Sequence, residues 1–310
     1  MTMLKTASRW LAYTLFVLAA GLVTNTLLGP LFTDTIRYHY GETLTNQGIA
    51  VDLVALFGAA PIAILAGILE LRRHRAGPVL AFIPATFTAY MAPQYVIGPD
   101  YLGLPGNNEQ FFPFHVGLFV LAVAVFFLTW EQVDRQWLPP ASRRADRGRA
   151  WVLFGVAAFI ALGRWLPGIA DLMSGNPAMP DYSDNPTSYL LVGFLDLGLV
   201  TLGAVTAGIG LRVGARWARE AAYAVIGWFA LVPASVAAMN ITMLVNDDPN
   251  AIVTATVLFV VAGVIFTTGA ALLYGPLFGK QRPSPPSSER YVSGSQTSDG
   301  DEVRSKEVVR

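Results

Sequence analysis

The chain has 310 residues, of which 54% are hydrophobic and 14% charged, with a mean hydropathy of +0.48 and a net charge of zero. A soluble domain carries about 25% charged residues, so this balance places the chain in a membrane, and the lack of a basic excess excludes a nucleic-acid partner. The absence of cysteine excludes disulfides, thiolate nucleophiles and Cys-built metal centres, and lysines only at 5, 280 and 306, outside every apolar run, exclude an intramembrane Schiff base.

Lys5 and Arg9 precede an apolar run from Leu11. Asn25, Leu27, Leu28 and Pro30 continue its register where a cleaved signal would turn polar, so a retained first helix is expected. A polar segment, Phe32 to Gln47, leads to the most informative stretch, Val51 to Arg75. There Asp52 precedes an unbroken apolar run from Leu53 to Leu69, closed by Glu70-Leu-Arg72-Arg73-His74-Arg75. This is the length of a membrane-crossing helix with a basic, cytoplasmic end. A third span is expected from Gly77 to Val96, kinked at Pro84 and Pro93, where backbone donors are lost. The fourth begins near Phe112 and ends at Trp130-Glu131, and the basic loop Gln132 to Arg149 marks the midpoint of the chain.

Four more spans are expected: Trp151 to Ala170, Tyr189 to Leu211, Ala221 to Val245 and Ile252 to Tyr274. The expected fold class is therefore an all-α polytopic bundle of eight spans. The transmembrane domain covers 1–278, in halves 1–140 and 141–278, and a disordered cytoplasmic tail covers 279–310, where apolar residues are too few to fold. Basic residues concentrate at the N-terminus, 72–75, 135–149, 212–219 and 280–282, whereas the opposite loops hold only Arg37. By the positive-inside rule both termini are cytoplasmic, in a cell inner (plasma) membrane.

Asp196-Leu197 follows Asp52-Leu53 by 144 residues, each pair after an Asn-bearing loop and before an Arg-rich one. Four helices per half would make such a repeat parallel. The alternative is that apolar helices resemble one another.

At ~1.5 Å per residue, Asn25, Gln94, His115, Arg164 and Asp196 fall about 22–25 Å from their basic helix ends, Tyr90 slightly deeper, and Asp52 and Asn240 nearer 30 Å. An ionised group in lipid is costly. An Arg164–Asp196 pair is the simplest arrangement, either fixing helix packing or recognising a substrate. Asp52, with no arginine to match it in span one, is expected as a solvated acid at the outer end of its helix.

The outer histidines, His39 and His115, lack metal-ligand spacing, so no metal or other cofactor is expected. His74 among the arginines reads as a solvated loop residue. Tyr38, His39, Tyr40, Tyr95, Tyr101, Phe111, Phe112 and Phe114 read first as an interfacial aromatic belt. Gly193, Gly198, Gly203 and Gly208 with Ala204 and Ala207 imply tight helix contact. Ser235 has no base at its depth.

The pattern Asp52-Leu, Pro61, Arg72-Arg73, Tyr90, Tyr95, Gly98, Asn108, Phe111-Phe112, His115-Val116, Trp165-Leu-Pro167 and Asp196-Leu-Gly198 resembles a group of uncharacterised bacterial membrane proteins of about eight helices. The resemblance implies a whole-length membrane domain and no activity.

The partners expected are the lipid bilayer and a small molecule arriving from the outer face. The expected function is a small-molecule transporter or permease with an outward-facing polar pocket of Asp52, Tyr90, Gln94, His115, Arg164, Asp196 and Asn240. A transporter needs a polar route on both sides of its site, and the inner half lacks one. This leaves a second reading, an outer-face ligand sensor or accessory subunit. A third, an intramembrane enzyme, lacks a nucleophile–base pair.

Overall fold

A computed structural model describes residues 2–133 and 138–279. The expectation of a disordered tail falls almost wholly outside the described residues. Contacts divide the chain between Phe278 and Gly279.

The described residues form an all-α bundle. Seven helices are long and apolar enough to cross a membrane: α1 (Thr2–Leu28, apolar from Arg9), α2 (Glu42–Leu71), α4 (Asn108–Gln132), α5 (Arg143–Met173), α6 (Pro186–Val213), α7 (Ala218–Val245) and α8 (Val253–Phe278). The chain is an integral, multi-span membrane protein embedded in lipid. Between α2 and α4 lies another long helix, α3 (Ala76–Ile97), less apolar because of Pro84, Pro93, Gln94 and its Thr and Tyr residues. It packs on α2, α4, α6 and α7 and buries most of its side chains, Phe82 and Phe87 completely or nearly so. A helix enclosed by protein need not match the hydrocarbon, so the most central helix is the least apolar.

Outside the bundle the surface is apolar. On α8, Val257, Leu258, Val261, Val264 and Ile265 are all more than half exposed, as lipid-facing side chains are. α1 packs on α2 and α4, and α2 on α3. In the second half α5 packs on α6, α6 on α7, and α7 on α8. Among the described residues α5 and α8 do not form a packed pair.

Helix ends explain why α2 is longer than its apolar run. It starts at Glu42, whose charge suits the positive end of the helix. Its first turns are tied to the α7–α8 loop: Thr43 and Asn46 donate to Asp248 at 3.0 and 2.8 Å, and Asn246 donates to Asn46 at 2.6 Å. Asp52 therefore lies nearly three turns inside a helix and only 1% exposed. The expectation of a solvated acid at the helix end is corrected, because polar Thr and Asn residues that read as loop are satisfied within the bundle. At the other end of α2, Arg73 adopts φ 55°, with its N–H bonded to Glu70 O and that of His74 to Leu69 O. This is the paired closure that normally uses glycine.

Loop contacts sort the helix ends onto two faces. On one, the segment before α2 bonds the α3–α4 loop (Arg37 N to Asn107 Oδ1, 2.8 Å) and Ser188 donates to Gly98 O at 2.8 Å. On the other, Arg75 donates to Leu277 O and Pro276 O, and Arg219 to Asp146 at 2.8 Å.

Three helices carry a π-helical turn: Ala55–Ala59 in α2, Phe159–Trp165 in α5 and Asp196–Thr201 in α6. Such turns frequently accompany functional sites. Here one follows Asp52, one contains Arg164 and one begins at Asp196.

Candidate functional site

A cavity of about 240 Å³ lies among α2, α3, α5, α6, α7 and α8. Phe159, Val192, Phe229, Val232, Phe259 and Phe266 supply much of its wall, which is mainly apolar. Its polar groups include Tyr90, Gln94, Arg164, Asp196 and Trp228. Counted at ~1.5 Å per residue, Arg164 and Asp196 lie roughly 13–15 Å from the helix ends at Met173 and Pro186.

Asp196 is 6% exposed and well bonded: Tyr90 donates to Oδ1 at 2.7 Å and the Trp165 indole to Oδ2 at 2.8 Å. The expected charge pair is present but loose, with Arg164 Nε 3.7 Å from Oδ2. The guanidinium lies 5.4 Å from the Trp165 ring centroid, a cation–π arrangement. Gly193 makes this geometry possible, since a Cβ there would lie 2.7 Å from the Trp165 ring. Gln94 donates to Tyr90 O at 3.1 Å within its own helix.

Asp52 and His115 belong to a second network inside the first four helices, which meets the cavity at Tyr40 and Tyr95. Asp52 Oδ1 receives Asn25 Nδ2 at 3.3 Å and the Tyr95 hydroxyl at 3.4 Å, while Oδ2 has no partner among the described residues. His115 Nε2 lies 3.1 Å from Asn25 Oδ1, which also accepts the Tyr38 hydroxyl at 3.2 Å. Tyr38 stacks on Tyr40 and Tyr95, and Tyr95 on His115. These tyrosines are packed inside the protein, so this part of the expected aromatic belt is corrected. Tyr101 and Phe112, 39% and 51% exposed, do lie at the surface. Asn240 donates to Val236 O at 2.8 Å, one turn back, and stands apart from both groups.

Of the seven candidate residues, Tyr90, Gln94, Arg164 and Asp196 thus share the cavity, Asp52 and His115 share the second network, and Asn240 joins neither. Sequence reading named Trp165 only within the resemblance and placed neither Trp165 nor Trp228 at the site. A signal existed for both, because a tryptophan within an apolar helix must find a partner for its indole N–H.

On the face that holds these loops, Asp248 gains more from its hydrogen bonds than burial takes away: burial raises its pKa, and donors from Asn46, Asn250 and Thr43 bring it below the ordinary carboxylate value. His39 contacts Glu109 at 2.9 Å and also the Leu104 carbonyl. Burial lowers the imidazole's pKa, and these two bonds outweigh it and leave it raised.

Among the described residues no group of acids and histidines is placed to hold a metal ion. Comparison with protein-family models, with curated proteins and with solved structures finds no match. No family is therefore identified, and the resemblance to bacterial membrane proteins gains no support from these comparisons. What the fold and site define is the class: an integral, multi-span, all-helical membrane protein.

Proposed function

We propose that this protein binds an amphipathic small molecule in the cavity beside Asp196, from the face opposite its basic loops, and acts as a sensor or accessory subunit. The observation that carries this reading is the cavity itself, with mainly apolar walls for an apolar body and the charged side chains of Arg164 and Asp196 for a polar group. Toward the basic face, α5, α6 and α7 close on one another through Ala150, Leu153, Ala204, Ala207, Ala218 and Ala222. This apolar contact supports binding over passage, since a carrier needs a polar route on both sides.

In this reading α3 is an eighth span. Its 22 residues cover roughly 33 Å, enough for a hydrocarbon core of about 30 Å. Arginines at 72–75, 143–149 and 212–219 put that face, both termini and a tail of 279–310 in the cytoplasm of a plasma-membrane protein. A parallel repeat of halves 1–140 and 141–278 is supported by Asp52, which precedes the π-helical turn starting at Ala55, and Asp196, which begins one, each accepting a tyrosine of α3.

The test is equilibrium binding of an alkyl-chain probe to the protein in nanodiscs, with solute flux measured in parallel liposomes. Saturable binding that Ala262→Trp abolishes by filling the cavity, without flux, is the expected result. Binding that does not saturate, or that ignores Ala262→Trp, overturns the reading. Flux blocked by the same substitution would establish a permease instead.

A further inference from the structure

We propose that the ligand is a single-chain amphipath with a carboxylate head, received by the Arg164 guanidinium and the Trp228 indole N–H. This rests on the binding reading above and names its ligand class.

The argument starts from what Asp196 does not need. Both of its oxygens already hold short bonds from neutral donors, Tyr90 at 2.7 Å and Trp165 at 2.8 Å. Arg164 approaches only through Nε, at 3.7 Å, beyond hydrogen-bonding range. Its two terminal nitrogens have no hydrogen-bond partner among the described residues, although the side chain is 44% exposed and lines the cavity. A cation at membrane depth is costly unless something receives its charge. The Trp165 ring and Asp196 hold the guanidinium in place, so the free end of its fork is pre-positioned.

Trp228 is a second, independent sign. It lines the same cavity at 7% exposure, and its buried Nε1 has no hydrogen-bond partner among the described residues. An orphaned indole N–H is costly in an apolar interior. Its ring packs edge-on against Tyr90 at 5.1 Å, the residue that bonds Asp196. Both uncommitted groups are donors, so their complement is an acceptor. A guanidinium fork matches the two coplanar oxygens of a carboxylate, and the apolar wall suits an alkyl chain.

The test uses the full chain in phosphatidylcholine nanodiscs, with dodecanoate and dodecanol as probes of equal chain length. Dodecanoate is expected to bind about 10- to 100-fold tighter, the value of charge-assisted hydrogen bonds. Arg164→Gln and Trp228→Phe should each move dodecanoate toward dodecanol and leave dodecanol unchanged. If Arg164→Gln does not fold, Trp228→Phe carries the test. Equal affinities in the unmodified protein overturn anion recognition and leave the cavity reading intact, whereas failure of both probes to bind removes the cavity reading itself. Displacement of dodecanoate by phosphatidylglycerol in the disc would assign the site to a lipid headgroup and overturn the single-chain ligand.

Discussion

Tyr90 donates its hydroxyl to Asp196 across a 2.7 Å hydrogen bond that ties α3 to α6. Five residues further along α3, Tyr95 makes the corresponding bond to Asp52 on α2, at 3.4 Å. One enclosed helix thus serves a buried aspartate on α2 and another on α6, and does so unequally.

That inequality is testable. Tyr90→Phe removes a short bond to a buried carboxylate and should cost about 1–2 kcal/mol in thermal or denaturant unfolding in detergent. Tyr95→Phe removes a long one and should cost clearly less. An equal or larger loss for Tyr95→Phe would show that bond length does not rank the two contacts.

The two aspartates should also respond differently to neutralisation. In Asp196→Asn an amide N–H₂ would face the Trp165 N–H or the Tyr90 hydroxyl, and Arg164 would lose its counter-charge, for a loss of about 1–3 kcal/mol. In Asp52→Asn the amide oxygen can keep both donors on Oδ1, and the new N–H₂ replaces an oxygen that has no partner. Unfolding measurements should find this variant as stable as the parent or more so. Strong destabilisation by Asp52→Asn would mean that its free oxygen holds a partner.

Gly193→Ala tests the packing that orients Trp165. The added Cβ would lie 2.7 Å from Trp165 Cζ3 and 2.9 Å from Cη2. Overpacking of this kind costs about 1–3 kcal/mol, and a displaced indole would loosen its bond to Asp196. Lower stability with a shifted tryptophan emission is expected. Gly198→Ala, where a Cβ would meet nothing within 4 Å, should leave both unchanged.

The tie between His39 and Glu109, 2.9 Å apart, predicts a pH dependence. The His39 pKa is raised, so its contribution is fully present below the ordinary imidazole value of 6.5 and is lost as pH rises through the raised folded value. Protection factors for amide exchange in the 98–108 loop, corrected for the intrinsic pH dependence of exchange, should be highest below about pH 6.5 and fall as pH rises through the raised His39 value. His39→Gln should flatten that profile, and an unchanged profile would remove the tie as its cause.

Much of the architecture was legible in the chain itself, for physical reasons that act residue by residue. Apolar runs of membrane-crossing length report lipid contact wherever a helix faces hydrocarbon, and seven helices meet that test. Arg164 and Asp196 were paired from depth alone, because an isolated charge in lipid is costly and the two share a level. What the chain could not convey is which polar groups meet across it. Thr43, Asn46 and Asn25 look like loop or stray polar residues until Asp248 and Asp52, distant in sequence, supply their partners. Tyr38 and Tyr95 look interfacial until the bundle closes around them.

The sequence by itself determined a helical, membrane-embedded chain, because hydropathy and length are local properties. Only the tertiary structure decided that α3 is the enclosed helix, that Asp52 and His115 share a network that meets the cavity at Tyr40 and Tyr95, and that this cavity opens beside Asp196. Those outcomes depend on which helix faces touch, and contact between residues as far apart as Tyr90 and Asp196 is settled by packing that no local pattern encodes.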